Sequence, residues 1–175
     1  MALTALIGLL AIGVSARQEP IQVSIETKIY KYLTKSVQLQ GKRIKVSFLS
    51  KMGTNQIHTV SGVDLEKLTK DKHIKLVSSP VIRTLDGKEA KLSMLHTSAS
   101  VTEECSTTYT PYVGPDGQIQ LDTFLKVESG EDQTRNWSFS TKPTVKQDEP
   151  YVILVTRKDE SLMYVIKTHV VAPDR

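Results

Sequence analysis

His58, His73, His96, His169, Cys105 and the adjacent acids Glu103-Glu104 are the side chains whose types could support catalysis or metal binding. A metal site built on one element needs two ligands on one face, at i, i+4 on a helix or i, i+2 on a strand. No two histidines have that spacing, so none is assigned as a ligand. Cys105 is the sole cysteine. An intramolecular disulfide is therefore impossible, and a reactive thiolate would need a stabilising partner that the spacing does not supply. Glu103 and Glu104 could share a cation or a proton. On a strand, adjacent side chains point to opposite faces, so they are expected as solvated residues of a loop. No GxSxG, HExxH or CxxC occurs, and no GxxxxGK followed by Ser or Thr. The nucleophile elbow, zincin helix, redox pair and phosphate loop are thus all without residues to carry them. The sequence assigns no catalytic, cofactor-binding or metal site, and the expectation is a protein that is not an enzyme and takes no cofactor.

Tyr109, Tyr112, Tyr151, Tyr164 and Trp137 form the aromatic set that could line a ligand surface. Aromatic residues favour strands and pack across them, so core and cross-strand packing is the simpler expectation. Asn136-Trp137-Ser138 has the form of a glycosylation sequon, which has meaning only in a eukaryotic secretory route. The net charge of +4 comes from 23 basic and 19 acidic residues interspersed along the chain. A nucleic-acid footprint requires clustered Lys and Arg, so nucleic acid is excluded as a partner.

The elements that must position these residues are mainly β. Ile21, Val23 and Ile25 alternate with polar residues, as do Ile44, Val46 and Phe48, with a shorter run over Gln56 to Val60. Val63, Leu65 and Leu68 among Asp64, Glu66, Lys67 and Lys70 give the period of one short amphipathic helix near residues 63–71. Ser61 and Asp64 resemble a capping box ahead of it. Strand character resumes at His73 to Val77, and Pro80 is expected to end that ladder because it has no N–H to donate. Val81 to Leu85 and Lys88 to Met94 flank Asp86-Gly87, which predicts a hairpin with a type I′ turn and positive φ at both residues. The Ser- and Thr-rich stretch Ser98 to Thr108 is expected as a loop or hairpin tip. A second hairpin joins Tyr109 to Val113 with Gln118 to Val127 across Pro115-Asp116-Gly117. Gly130 to Asn136 connects onward, and Trp137 to Thr141, Tyr151 to Thr156 and Leu162 to Val171 complete the strands. Residues Lys158 to Ser161 turn between the last two. The fold class expected is mainly β (α+β), with antiparallel hairpins in a sheet or sandwich, one short helix, and an N-terminal signal helix. With 39% hydrophobic residues, a chain of this length can bury a real core as one domain.

Ala2 to Val14 carries no charge and is apolar or small throughout. It is too short to cross a bilayer, which takes about 20 apolar residues. It fits the apolar region of an export signal, with Val14-Ser15-Ala16 as the small-x-small cleavage pattern. Residues 1–16 are therefore expected as a signal peptide and 17–175 as a single exported domain. No Cys stands near the cleavage point to take a lipid anchor.

In this order and spacing the segments resemble the core domain of the secretins, the ring-forming outer-membrane channels of bacterial secretion and pilus systems. The residues that carry the resemblance are Ile21 to Ile29, the segment around Leu65 and Leu68, and Leu76 to Pro80 with its Ser-Pro break. Thr84 to Ala90, TLDGKEA, follows the family's Asp/Asn-Gly-Lys/Gln-x-Ala turn. Pro115-Asp116-Gly117-Gln118-Ile119 and Tyr151 to Leu154 are similar to its later hairpins. The likeness runs from about Ile21 to Val171. The chain departs from the family between Met94 and Tyr109, where 14 residues without glycine stand in place of a longer gate segment. Thr156-Arg157-Lys158 replaces a Gly-Gly-Leu, and the upstream ring-building modules of the family have no counterpart in these residues. No run has the apolar face of about 9–11 residues that a transmembrane barrel strand needs.

The resemblance implies a non-enzymatic scaffold, a structural or assembly component of a bacterial envelope secretion or transport system. It implies a periplasmic or outer-membrane-associated location and protein partners or self-association through β-edges; the sequence identifies no small-molecule substrate. The alternative is a monomeric periplasmic binding module that has lost channel function and uses the aromatic set and the Glu103–Tyr112 loop as its surface.

Overall fold

The structure of the protein is a computed structural model. It describes residues 19–32, 45–52, 55–61, 70, 74–98, 101–130, 136–156 and 161–172. Among the described residues twelve strands run in chain order: β1 (Gln22–Tyr32), β2 (Lys45–Met52), β3 (Asn55–Ser61), β4 (Ile74–Ser78), β5 (Val81–Leu85), β6 (Ala90–Ser98), β7 (Val101–Val113), β8 (Ile119–Ser129), β9 (Trp137–Thr141), β10 (Thr144–Val145), β11 (Tyr151–Thr156) and β12 (Ser161–Val171). They form two antiparallel sheets. The seven-stranded sheet has the order β2-β3-β11-β12-β1-β4, with β5 also on β1. The five-stranded sheet has the order β10-β8-β7-β6, with β9 also on β8.

The expected fold class needs correcting from α+β to all-β. Among the described residues every regular element is a strand and none is a helix. The helix expected near residues 63–71 lies outside the described residues, except Lys70, which stands in a turn. The signal segment 1–16, His73 and the turn at 158–160 also lie outside them.

Period-2 alternation explains why the two sheets face each other. In β8 the burial pattern alternates over the whole strand, with Ile119, Leu121, Thr123, Leu125, Val127 and Ser129 inward. In β1, Val23, Ile25, Thr27 and Ile29 form the inward row, while Ser24 and Tyr30 on the other face are buried as well. These rows meet in one core, joined by Ile57, Ile153, Val155, Leu162, Tyr164 and Ile166 from the larger sheet. Tyr109, Trp137 and Phe139 complete it from the smaller one. β11 and β12 are apolar on both faces. Their other face carries a second buried cluster, Val152, Leu154, Met163 and Val165, with Tyr30, Val60 and Ile74. That double burial accounts for the near-continuous hydrophobic runs YVILVT and LMYVI, which lack the alternation of a half-buried strand.

Two local expectations are overturned. Asp86-Gly87 does not close a hairpin: β5 pairs with β1 and β6 with β7, so the chain changes sheets there. The turn is real, with Lys88 N–H donating to Leu85 O at 3.0 Å. Positive φ is confined to Gly87 at +69°, which is the demand of a type II turn and not of type I′. The Ser- and Thr-rich stretch is also no loop, since β7 begins at Val101 and pairs on both sides, with β6 and β8. Thr is β-branched and suits a pleated surface, so a lack of large apolar residues did not make this segment irregular.

Pro80 follows the end of the β4 ladder at Ser78, as expected, and the chain then continues along the same edge as β5. β4 and β5 both lie antiparallel on β1, and Thr27 N–H donates to Pro80 O at 3.0 Å between them. The hairpin at 114–118 forms as expected: Gly117 N–H bonds Gly114 O, and Gly114 N–H bonds Gln118 O. Gly117 has φ +76°, the left-handed position that follows a turn led by Pro.

Candidate functional site

The polar groups that the strands bring together hold the frame. Thr27 Oγ1 and Tyr109 Oη lie 2.8 Å apart in the core, a hydrogen bond from one sheet to the other. Tyr109 is 1% exposed, and burial pushes its phenol up to about 12, against the opposing pull of its bonds with Thr27 and Thr107. Such a group stays protonated through the neutral range and is no acid–base catalyst there. Burial also raises the Tyr151 phenol, whose oxygen lies 3.4 Å from Thr141 Oγ1.

The corner at Asp86-Gly87 is stitched to both sheets. Asp86 N–H donates to Ile21 O at 2.8 Å, and Gly87 N–H donates to Pro111 O at 2.7 Å. The Asp86 carboxylate accepts from Val113 N–H at 2.9 Å. These three bonds bind the corner to the start of β1 and the end of β7. They explain why the strands flanking it do not pair with each other.

The residues singled out by chemistry are dispersed. Glu103 faces inward, 1% exposed, while Glu104 is on the exposed face. The pair is therefore split across the sheet, as strand geometry requires, and shares no site. Cys105 is buried among core residues beside Val127 in register. His58 lies on β3, His96 on β6 and His169 on β12. Among the described residues no group of three His, Cys, Asp or Glu side chains could hold a metal ion. Of the aromatic set, Tyr109, Tyr164 and Trp137 are buried and Tyr151 is partly buried. Tyr112 is 45% exposed beside the Gly87 corner.

The outer face of the smaller sheet is mainly Thr, Ser and charge. Lys142 pairs with the Asp122 carboxylate, and that ion pair holds Asp122 below its usual carboxylate range. Lys126 and Glu128 pair at 2.8 Å, and on the larger sheet Lys28 and Glu26 pair at 2.9 Å. One open depression lies at an end of this outer face, lined by Leu95, Thr102, Glu104, Glu128 and Asn136. Glu104 and Glu128 stand directly opposite each other there. Sequence inspection missed this juxtaposition because it requires the β7–β8 register. It would have followed from recognising β7 as a strand.

No protein-family model matches the chain. No curated protein matches it either. Among solved structures, the Salmonella SPI-1 type III secretion injectisome secretin InvG in the open gate state aligns over 89% of this chain and 60% of that one. The identity is 9% and the TM-score 0.35. A second structure of that Salmonella secretin aligns over 89% and 64%, with 9% identity and a TM-score of 0.33. The injectisome basal body proteins InvG, PrgH and PrgK give 89%, 45%, 9% and 0.33. The chain spans less than two thirds of each of those chains. Among the described residues the protein is an all-β domain of two antiparallel sheets over a shared core.

Proposed function

We propose that the chain is a non-enzymatic, exported β-domain of secretin-core type, a structural or assembly component of a bacterial envelope secretion or transport system. Residues 1–16 serve as the export signal, and the mature domain works in the periplasm or at the outer membrane by contact with protein partners. The observation that carries this reading is the role of Thr84 to Ala90, one of the segments that resemble the family. It forms the corner where the chain passes between sheets, with Asp86 and Gly87 bonded to β1 and β7. The family-like residues thus build the frame and do not line a cleft. Support also comes from the ordered series of matches from Ile21 to Val171.

The aromatic surface of the competing binding-module reading is largely inside the protein, because Tyr109, Tyr164 and Trp137 are buried. The test is to produce the tagged chain in its native bacterium, fractionate the cells, and identify cross-linked partners by mass spectrometry. Recovery in the envelope fraction with secretion or transport components is the expected result. Recovery in the cytosol, or an uncleaved N-terminus at Met1, would overturn the proposal.

A further inference from the structure

The outer face of the five-stranded sheet is open to solvent, with Thr102, Glu104, Tyr112, Gln120 and Phe124 all exposed along β7 and β8. Facing residues in an antiparallel pair share a face, so the register Tyr112–Gln120 and Thr108–Phe124 puts both aromatic rings on it. Tyr112 is 45% exposed and Phe124 42%, and neither belongs to a buried cluster. The rings stand on adjacent strands, offset in register by the four residues from Gln120 to Phe124. At about 3.4 Å per residue that sets them about 14 Å apart.

Asp122 lies between them at the centre of a polar triad. Its carboxylate accepts from Gln120 Nε2 at 3.1 Å through Oδ1 and from the Lys142 ammonium through Oδ2. Each carboxylate oxygen keeps a lone pair, the Gln120 amide keeps its carbonyl and one N–H, and Lys142 keeps two N–H groups. The triad is thus fixed in place and still able both to donate and to accept. Hydroxyls surround it: Thr110 faces Asp122, Thr144 faces Gln120, and Thr108 and Ser140 face Phe124. Lys91, Lys126 and Lys142 stand against Glu104, Asp122 and Glu128, three charges of each sign, so the charges of these strands cancel on this face.

We infer that this face binds a neutral oligosaccharide, with one sugar ring stacked on Tyr112, another on Phe124, and the hydroxyls between them bonded to Gln120, Asp122 and Lys142. A pyranose with mostly equatorial substituents has an apolar C–H face and a rim of hydroxyls that donate and accept. Aromatic rings set apart by a two-way polar centre complement both features. An anionic membrane needs a cationic surface, and a protein partner needs a contiguous apolar centre. This face has neither, since its charges cancel and its two rings are separated by the triad. Such binding goes beyond the assembly reading and does not depend on it.

An amide NMR titration of the full chain with cellotetraose and, separately, chitotetraose tests this, with affinity measured by isothermal calorimetry. Both probes are uncharged. Saturable shifts at Tyr112, Gln120, Asp122 and Phe124 with either one are expected, and the probe that binds shows which ring substituent is read. Tyr112→Ala, Phe124→Ala and Asp122→Ala should each weaken binding by about tenfold. Both rings are exposed, so circular dichroism of their variants should match the parent. Val81→Ser, on the larger sheet, should leave the affinity unchanged, and so should added salt, because the ligand carries no charge. The titration of the parent maps the site without any variant. No saturable shift with either probe, shifts confined to another surface, full affinity in either ring variant, or affinity lost on adding salt would overturn the assignment.

Discussion

The hydrogen bond between Thr27 and Tyr109 is the sharpest place to test the two-sheet frame. Tyr109→Phe removes the phenol oxygen and deprives the buried Thr27 hydroxyl, itself 1% exposed, of its 2.8 Å partner. Leaving a buried polar group short of a partner costs about 1–3 kcal/mol, whereas removing both partners is nearly neutral. Tyr109→Phe should therefore destabilise by about 1–2 kcal/mol near pH 7. Thr27→Val should cost a similar amount, and the double variant should cost less than the sum by about 1 kcal/mol.

The pH dependence gives an independent handle on the same residue. The folded phenol is raised to about 12, while the unfolded one titrates near its ordinary value of 10.0. Between those values the unfolded chain binds fewer protons than the folded one, so stability falls as pH rises. This contribution is complete below pH 10 and is lost by about pH 12. At about 1.36 kcal/mol per pH unit it amounts to roughly 3 kcal/mol. Tyr109→Phe lacks this slope. Urea unfolding followed by tryptophan fluorescence should show the gap between parent and variant narrowing or reversing from pH 10 to 12. A gap that stays constant would refute the burial of the phenol, and a double variant whose cost is the plain sum would refute the inter-sheet bond.

Other substitutions probe separate parts of the frame. The Thr168 hydroxyl is buried with no hydrogen-bond partner, so Thr168→Val should stabilise by about 1 kcal/mol and raise Tm in a thermal scan. Gly87→Ala forces a β-carbon onto φ +69° although the added atom would meet only the Tyr112 ring at 3.9 Å. A backbone cost of about 1–2 kcal/mol is expected in urea unfolding. Leu125→Ala empties a fully buried position between the sheets and should cost about 2–5 kcal/mol by the same assay. Lys142→Ala should let the Asp122 carboxyl titrate higher in an NMR pH series while leaving the unfolding midpoint unchanged, because the pair is on the surface.

β8 and β9 lie close to their expected positions with alternating burial, and β1 and β5 lie there too. β11 and β12 also match, as continuous apolar runs, and so does the 114–118 hairpin. The aromatic residues, expected in packing roles, are placed there for Tyr109, Tyr164 and Trp137. β7 was hidden because its inward row mixes Glu103, Cys105, Thr107 and Tyr109, which resembles a polar connector until both its neighbours are known. Once central in a sheet, its backbone groups bond on both sides, and that outweighs the weak apolar signal of its side chains. The inward burial of Glu103 was invisible for the same reason.

Asp86-Gly87 exposes the deeper limit of local reading. A turn sequence fixes the φ of its glycine and the reversal of the chain over four residues. It does not choose which strand each arm will pair with. That choice belongs to contacts far away in sequence: β5 fits all five of its residues onto Gln22 to Glu26, and β6 fits all nine onto Val101 to Tyr109. The Asp86 carboxylate and the Gly87 N–H, bonded to Val113 and Pro111, then tie the corner to β7. The unpaired side of β6 follows from the same event. Had the corner been a hairpin, β5 would lie along β6. Because the chain crosses to the other sheet, no described strand pairs with the far side of β6.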